Sequence, residues 1–443
     1  MVKKALVLGG GFAGLVLWRA LLRDERVEAT LVDQNNYHIF QPLLYQVATG
    51  ELESSAVTRT FREIAHRTPG TFILGEVTAI DPVAGTVTLD PSRILTFDYL
   101  YITLGTVTNF FGNGNLQCLA LDLKNAEAAE QTKSRIAYAL ERAATCTDRE
   151  ACRAWLTFAV AGGGPAGVEF CCSLAQRLHR TIEMEYPGLD SHDLRIVLIQ
   201  GGGRLLEGMA DPAPAAAAEK LESLGVEVFY GHRVTGFDGE AIRCGGEGQV
   251  PVSIPARTLV WTAGVHPPEV IARMAAPKTH DGRLVTDPHL RLPGYDNIFV
   301  AGDLAGNDRG LSWPQTAPFA IQSARHALRV TRAMLDGGFL PEPFSYSDPG
   351  SMVTLGRFDA ICIFPQLSLR FGGIWAWMAW TILHLYRIIG MRNRFTALLD
   401  WFQDYVLHDY TGSRIDSTTI SWGEKLPRET CRKSQKTSDT LNR

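Results

Sequence analysis

Two glycine runs in this chain each follow an apolar stretch and lead into helix-forming residues. The first is Leu6-Val7-Leu8-Gly9-Gly10-Gly11-Phe12-Ala13-Gly14, and the second is Phe158-Ala159-Val160-Ala161-Gly162-Gly163-Gly164-Pro165-Ala166-Gly167-Val168-Glu169. In such a strand–turn–helix unit the glycines make the tight turn, let the backbone approach a pyrophosphate, and let the helix lie close to the strand. Free N–H groups and the positive end of the helix dipole then meet the phosphates. Gly9, Gly11, Phe12, Ala13 and Gly14 are therefore candidates to hold one dinucleotide, and Gly162, Gly164 and Gly167 a second. One run alone is also compatible with an ordinary strand-to-helix connection. Two in one chain point to two dinucleotides face to face, a flavin exchanging electrons with a nicotinamide.

The elements around the first run sharpen its assignment. Val27–Asp33 is a second strand ending in a carboxylate, about the distance beyond the glycines expected of a ribose-binding acid. Asp33 can accept hydrogen bonds from both ribose hydroxyls and would repel a 2′-phosphate, so this site suits FAD or NAD better than NADP. It opens the chain, and Asn297-Ile298-Phe299-Val300-Ala301-Gly302-Asp303 is a later strand ending in Gly-Asp. Returned beside the first turn, Gly302 and Asp303 would serve the flavin ribityl chain and pyrophosphate, which favours FAD. The alternative for Asp303 is a solvated turn or helix cap. Phe97–Thr106 reads as a further strand whose end, Gly105, returns to the flavin.

A chain of 443 residues suits two or three domains. The expected fold is α/β, with two Rossmann-like dinucleotide-binding domains, the second inserted in the first, and a C-terminal helical membrane-docking region. The expected boundaries are 1–118 and 287–345 for the FAD domain and 119–286 for the NAD(P)H domain. Residues 346–415 form the docking region and 416–443 a disordered polar tail. In the inserted domain, Asn125–Thr145 reads as a helix, Leu194–Gln200 as a strand ending at the ribose-reading position, and Arg257–Val265 as a strand ending at Gly264.

A formal charge of −4 gives no electrostatic reason to invoke nucleic acid. The eight cysteines contain no Cys-x-x-Cys and nothing like a zinc ligand set. Most of them read as small buried residues of a reducing compartment. Met1-Val2-Lys3-Lys4 runs straight into the first strand without a signal peptide. These features predict a cytoplasmic protein.

Phe371–Tyr386 is rich in tryptophan and bracketed by Arg370 and Arg387. It is shorter than the ~18–20 apolar residues of a spanning helix. Thr381, His384 and Arg387 draw a narrow polar stripe, and Trp375, Trp377 and Trp380 are rings that settle at a membrane–water boundary. Arg392 and Arg394 can meet anionic head groups, and Phe395–Tyr405 adds a second amphipathic helix. A surface anchor is the favoured reading, against a dimer interface, a buried helix or a true span.

The chain resembles the type II NADH dehydrogenases, single-subunit flavoenzymes that pass electrons from NADH to membrane quinone without pumping protons. The resemblance spans nearly the whole chain. It rests on both glycine runs, Asn35–Gly50 (NNYHIFQPLLYQVATG), Trp261–Val265 (WTAGV), Gly350–Arg357 (GSMVTLGR) and Gly390–Arg394 (GMRNR). It implies a peripheral enzyme on the cytoplasmic face of the inner membrane, with FAD, NADH, a quinone and a plausible homodimer. It also implies that Glu169, two residues past Gly167, helps couple the half-reactions. Without the resemblance, Glu169 reads as a first-turn glutamate favourable to the helix dipole.

Three departures stand out. Gln200 replaces the glutamate usual in NADH-preferring members, and nearby Arg204 can attract a 2′-phosphate, which opens NADPH as an alternative. Pro318 stands where the family often has a quinone-site glutamine, while Gln322 matches the second one. Pro349 replaces a lysine, to no clear effect. A sulfide:quinone oxidoreductase remains the nearest rival and would need redox cysteines, with Cys118, Cys152 and Cys362 at suggestive places. A disulfide reductase would need a Cys-x-x-x-x-Cys after the first run, which is missing. A nucleotide-binding sensor or scaffold without turnover also remains open.

Overall fold

A computed structural model describes residues 2–65, 71–89, 93–307, 313–407 and 415. The tail expected to be disordered, 416–443, lies outside the described residues. The chain divides into two compact units. The first combines Met1–Ile39, Thr58–Val107 and Val265–Pro349, and the second combines Phe40–Val57, Thr108–Gly264 and Gly350–Arg443.

The first unit is built on a five-stranded sheet in the order Ile298–Val300, Tyr99–Ile102, Lys3–Leu8, Val27–Asp33, Thr71–Leu74. Every pairing is parallel, and Val7 lies between Leu31 and Tyr101. Strands buried on both faces need continuous apolar sequence, which Ala5-Leu6-Val7-Leu8 provides. Helix Phe12–Leu21 packs against helix Ala317–Asp336. An antiparallel three-stranded sheet, Val77–Asp81, Thr86–Leu89 and Arg93–Thr96, closes one core with Ile271, Met274 and Phe319.

The second unit repeats this plan. Its five parallel strands run in the order Leu121–Asp122, Thr258–Trp261, Thr157–Ala161, Arg195–Gln200, Val226–Tyr230. A three-stranded antiparallel sheet again accompanies them, Arg233–Phe237, Ala241–Gly245 and Val252–Pro255. Helix Pro165–Glu185 follows the glycine run, with proline in its first turn, where no intrahelical N–H bond is lost. Helix Ala126–Thr145 begins at Asn125, whose side chain accepts from the Ala128 N–H.

The units divide the chain differently from the sequence reading. Leu121–Asp122 pairs with Thr258–Trp261, so residues from 108 onward join the second unit. Leu284–Thr286 pairs with Ala305–Asn307, which returns 265–286 to the first. The C-terminal part belongs to the second unit too, where helix Met391–Phe402 packs on the short helix Ser54–Val57. Strand ends are also trimmed. Regular pairing covers Tyr99–Ile102, Thr258–Trp261 and Ile298–Val300, and beyond their C-terminal ends the chain turns at Gly105, Gly264 and Gly302.

Candidate functional site

At the first turn Gly9 and Gly10 bend the chain out of Lys3–Leu8, and Gly11 caps helix Phe12–Leu21 without any side-chain bond. A Cβ on Gly11 would meet nothing within 4 Å. Gly14 is forced. A Cβ there would lie 1.8 Å from the Gly9 carbonyl oxygen and 2.6 Å from Thr103 Oγ1. Asp33 ends its strand beside this turn, taking the Gly10 N–H on Oδ2 at 2.6 Å and the Asn35 N–H on Oδ1 at 2.8 Å. Burial pushes its carboxyl up, and those two donors oppose the shift.

The other expected flavin ligands lie in the same unit. Asp303 follows Val300 at the sheet edge, and Thr106 Oγ1 donates to its Oδ2 at 3.3 Å, which places Gly105 and Asp303 together. Gly302 sits against Ala13, since a Cβ on it would lie 3.3 Å from the alanine methyl. The Phe12 ring meets His38 edge-on, and His38 Nδ1 lies 2.9 Å from the Gly10 carbonyl. Gln322, on helix Ala317–Asp336, uses both ends of its amide on residue 347: Nε2 donates to the Ser347 carbonyl at 2.8 Å, and Oε1 accepts its N–H at 3.0 Å. Pro318 occupies the first turn of that helix.

The second turn repeats the first atom by atom. A Cβ on Gly167 would lie 1.9 Å from the Gly162 carbonyl oxygen and 2.8 Å from Thr262 Oγ1. Thr103 Oγ1 lies 2.8 Å from both the Leu8 and Gly9 carbonyls, and Thr262 Oγ1 lies 2.9 and 3.0 Å from those of Ala161 and Gly162. Gly164 caps its helix without a side-chain bond, as Gly11 does. Gln200 stands where Asp33 stands, accepting the Gly163 N–H on Oε1 at 2.8 Å. Gly264 matches Gly105, each two residues past its threonine and each at positive φ. Neither threonine was singled out from the sequence, although Thr103-Leu104-Gly105 and Thr262-Ala263-Gly264 share a Thr-x-Gly signal. Arg204 is turned to its own loop, donating to Asp211 Oδ1 at 3.1 Å and the Met209 carbonyl at 3.3 Å.

Glu169, on the first turns of helix Pro165–Glu185, is buried against strand Ser351–Thr354. Its Oε1 accepts the Thr354 N–H at 3.1 Å, and Thr354 Oγ1 in turn lies 2.8 Å from the Tyr45 hydroxyl. Among the described residues no cation pairs with Glu169, so burial lifts its carboxyl to about 8. A carboxyl neutral near pH 7 would not repel a pyrophosphate at the second turn.

One helical turn further on, Ser173 meets Glu51 and Thr49. Asp404 receives Arg177 at 3.5 Å and Arg357 at 3.0 Å, and burial together with Asp404 pushes the Glu51 carboxyl up. Trp401 Nε1 donates to Gln46 Oε1 at 3.0 Å, and Asn393 Nδ2 donates to the Ser55 carbonyl at 3.0 Å. These buried polar contacts fix the C-terminal helices within the second unit.

The C-terminal helices span Gly373–Arg387 and Met391–Phe402, with Phe371 and Gly372 in the preceding strand Leu369–Gly372. Ile374, Trp375, Met378, Ile382 and Tyr386 form an exposed stripe on the first, and Met391, Phe395, Leu398, Leu399 and Phe402 form one on the second. Trp375 is 71% exposed and Phe395 65%. One expected interface residue, Trp380, is corrected. Trp380 is buried, stacked on His384 and near Trp401, because the second helix covers it. Arg394 donates to the Ile388 and Tyr386 carbonyls and so caps the preceding helix. Among the described residues no helix is long and apolar enough to cross a membrane.

Cys152, Cys171, Cys172 and Cys362 give a sulfide chemistry no support. Cys362 is buried, its thiol directed at the Ala376 carbonyl and pushed up to about 11 by burial. Burial also raises Cys152, and Cys171 and Cys172 are fully enclosed. Thiols held in this way are poor nucleophiles.

Comparison with known proteins agrees with this geometry. The family model for pyridine nucleotide-disulphide oxidoreductases matches residues 3–324. The type II NADH:quinone oxidoreductase NdhA of Mycobacterium tuberculosis is 34% identical over 90% of this chain and 86% of its own length. In fold, the chain is similar to NDH2 of Plasmodium falciparum, solved in complex with NADH, with a TM-score of 0.86, 18% identity and coverage of 94% of this chain and 100% of that one. The sulfide:quinone oxidoreductase of Aquifex aeolicus is a more distant fold relative, with a TM-score of 0.71 at 17% identity over 93% of this chain and 96% of that one. With both glycine turns in place and 34% identity to NdhA over most of both chains, the chain belongs to the type II NADH:quinone oxidoreductases.

Proposed function

We propose that this chain oxidises NADH and reduces a quinone through FAD, working as a peripheral protein on the cytoplasmic face of the inner membrane. The observation that carries the reading is the atom-level repetition of the glycine turn on two separate parallel sheets. In each turn the glycine before the helix makes no side-chain cap and has room for a Cβ with nothing within 4 Å, which suits the close approach of a pyrophosphate. For FAD, Gly9, Gly11, Phe12, Ala13 and Gly14 would hold the pyrophosphate, Asp33 the adenosine ribose, and Asp303 with Gly105 and Gly302 the ribityl side. For the nicotinamide nucleotide, Gly162, Gly164 and Gly167 would hold the pyrophosphate, with Gln200 and Gly264 alongside. Bound FAD supplies the two-electron chemistry that no amino-acid side chain performs.

The chain's own contribution is binding, orientation and protons. Glu169 holds a proton near neutral pH, and the hydroxyls of Thr354 and Tyr45 extend from it as hydrogen-bonding partners. Gln322 retains one amide hydrogen after binding Ser347, and a quinone carbonyl is the acceptor it suits. The apolar stripes on Gly373–Arg387 and Met391–Phe402 suit the boundary between head groups and acyl chains.

An anaerobic titration tests the redox reading. NADH should bleach the visible absorbance of bound flavin, and a soluble quinone should restore it. Protein purified without flavin, or flavin that NADH leaves oxidised, would sink the reading. Flotation with vesicles containing anionic lipid tests docking. Wild type should float, the double variant Trp375→Glu, Ile382→Glu should stay in the dense fraction, and equal flotation of both would reject this face.

A further inference from the structure

Gln200 leaves the second ribose position uncharged, yet a carboxylate stands beside it. Gln200 Nε2 lies 3.1 Å from the Arg204 carbonyl and 3.2 Å from Glu207 Oε1. The loop bearing Glu207 is fastened to the glycine turn itself, since the Leu206 N–H donates to the Gly163 carbonyl at 2.8 Å. Leu206 adopts φ 49°, a left-handed conformation unusual for a bulky residue. Such strain persists only where the surroundings impose it, and here it turns Glu207 back over the strand end. The space it folds into exists because residue 202 is glycine. A Cβ there would lie 1.6 Å from Glu207 Oε1 and 3.1 Å from Gln200 Nε2.

The nearby cations do not cancel this charge. Arg204 is paired with Asp211, away from Gln200. Arg233 lays its side-chain stem along Gly201, with Cγ 3.2 Å from where a Cβ on Gly201 would stand. It is a cation placed to compete for a phosphate, and it enters the test for that reason.

We propose that Glu207 is the residue that discriminates NADH from NADPH. Its carboxylate accepts a hydrogen bond from the ribose 2′-hydroxyl and repels a 2′-phosphate. Gln200 is a positioning residue that clamps Glu207 to the turn through its two amide ends. This rests on the reading that the second turn takes a nicotinamide dinucleotide.

The test is calorimetric titration of the flavin-loaded protein with NAD⁺ and with NADP⁺, which bind without hydride transfer. Wild type should bind NAD⁺ at least about tenfold more tightly, as expected for two like charges a few ångströms apart near a surface. Glu207 is exposed, so Glu207→Gln leaves the fold intact, and it should shrink that ratio by roughly tenfold. Adding Gln200→Glu to Glu207→Gln should restore the ratio, because a carboxylate then stands at the strand end itself. A purely structural role for Gln200 would not give that rescue. In wild type the ratio should also narrow with added salt. Comparable NAD⁺ and NADP⁺ affinity in wild type, or an unchanged ratio in Glu207→Gln, overturns the proposal. Arg233→Ala then shows whether that cation governs instead. Failure of both nucleotides to bind wild type overturns the nucleotide assignment of the second turn, and the role of Glu207 with it.

Discussion

The two glycine turns share a backbone and differ in charge. Both place a threonine hydroxyl on the carbonyls that end the first strand, and both leave the helix start uncapped. In both, the side chain ending the second strand accepts an N–H from the turn: Asp33 from Gly10 and Gln200 from Gly163. In the first turn that side chain carries its own negative charge. In the second it is an amide, whose spare end reaches Glu207 on the next loop. The clamp that shapes the turn is therefore separable from the charge that reads the ligand. A carboxylate does both jobs when it stands at the strand end, and an amide does only the first.

The sharpest way to break the equivalence is to fill the two close approaches. Gly14→Ala and Gly167→Ala each drive a methyl into a backbone carbonyl that cannot rotate away, so the helix must shift. Gly14→Ala should yield protein without flavin. Gly167→Ala should keep its flavin but lose bleaching by NADH, so identical phenotypes would mean that the turns do not serve different ligands. Next in size is the charge at the first turn. Asp33→Asn keeps an acceptor for Gly10 yet loses the ribose-binding charge, worth about 1–3 kcal/mol. Flavin should dissociate roughly tenfold or more readily on dilution, and unchanged retention would show that Asp33 only shapes the backbone.

Glu169 distinguishes the second turn from the first in another way, because no acid follows Gly14 at the matching position. Its neutral form is favoured in the folded chain, with a pKa of about 8, whereas the unfolded chain ionises near 4.5. The unfolded state therefore loses its proton first as pH rises. Stability falls between about pH 4.5 and pH 8, by at most a few kcal/mol, and is flat above. Glu51, raised to about 7, adds a slope of its own below that, so Glu169→Gln should remove the part between about pH 7 and pH 8 in denaturant midpoints, and an unchanged slope there would assign it to another group. The smallest effect sharpens the likeness. Thr103→Val and Thr262→Val each strip a hydroxyl from the carbonyls it serves, about 1 kcal/mol. Comparable drops in Tm would show that the two hydroxyls do the same job.

The glycine turns were legible in the sequence because their geometry is set within a few residues of chain. The neutral Gln200 was legible as well. Glu207 was not, since what brings it back is a left-handed turn at Leu206 and an empty space at Gly202, and neither leaves a periodic pattern. The two threonines carried a repeated signal that acquires meaning only when the turns are laid on one another. In the C-terminal helices the apolar character was plain. Which tryptophan faces outward was decided by Trp401 and His384 closing over Trp380, a tertiary fact that composition does not carry. Assignment of 40–57 and 108–118 to the second unit likewise depended on strand pairing and helix contacts distant in sequence.

That interleaving has a consequence for synthesis. Strand Tyr99–Ile102 finds its edge partner in Ile298–Val300, so the first unit's sheet is incomplete until the ribosome has passed residue 300. By then the second unit's parallel sheet, which ends at Thr258–Trp261, is already translated. Its other late pieces, Ser351–Thr354 and the helices beyond, emerge last of all. The nascent chain must therefore carry an open apolar edge on Tyr99–Ile102 from residue 102 until residue 300 has emerged, which makes that strand the place where premature association with other chains would begin.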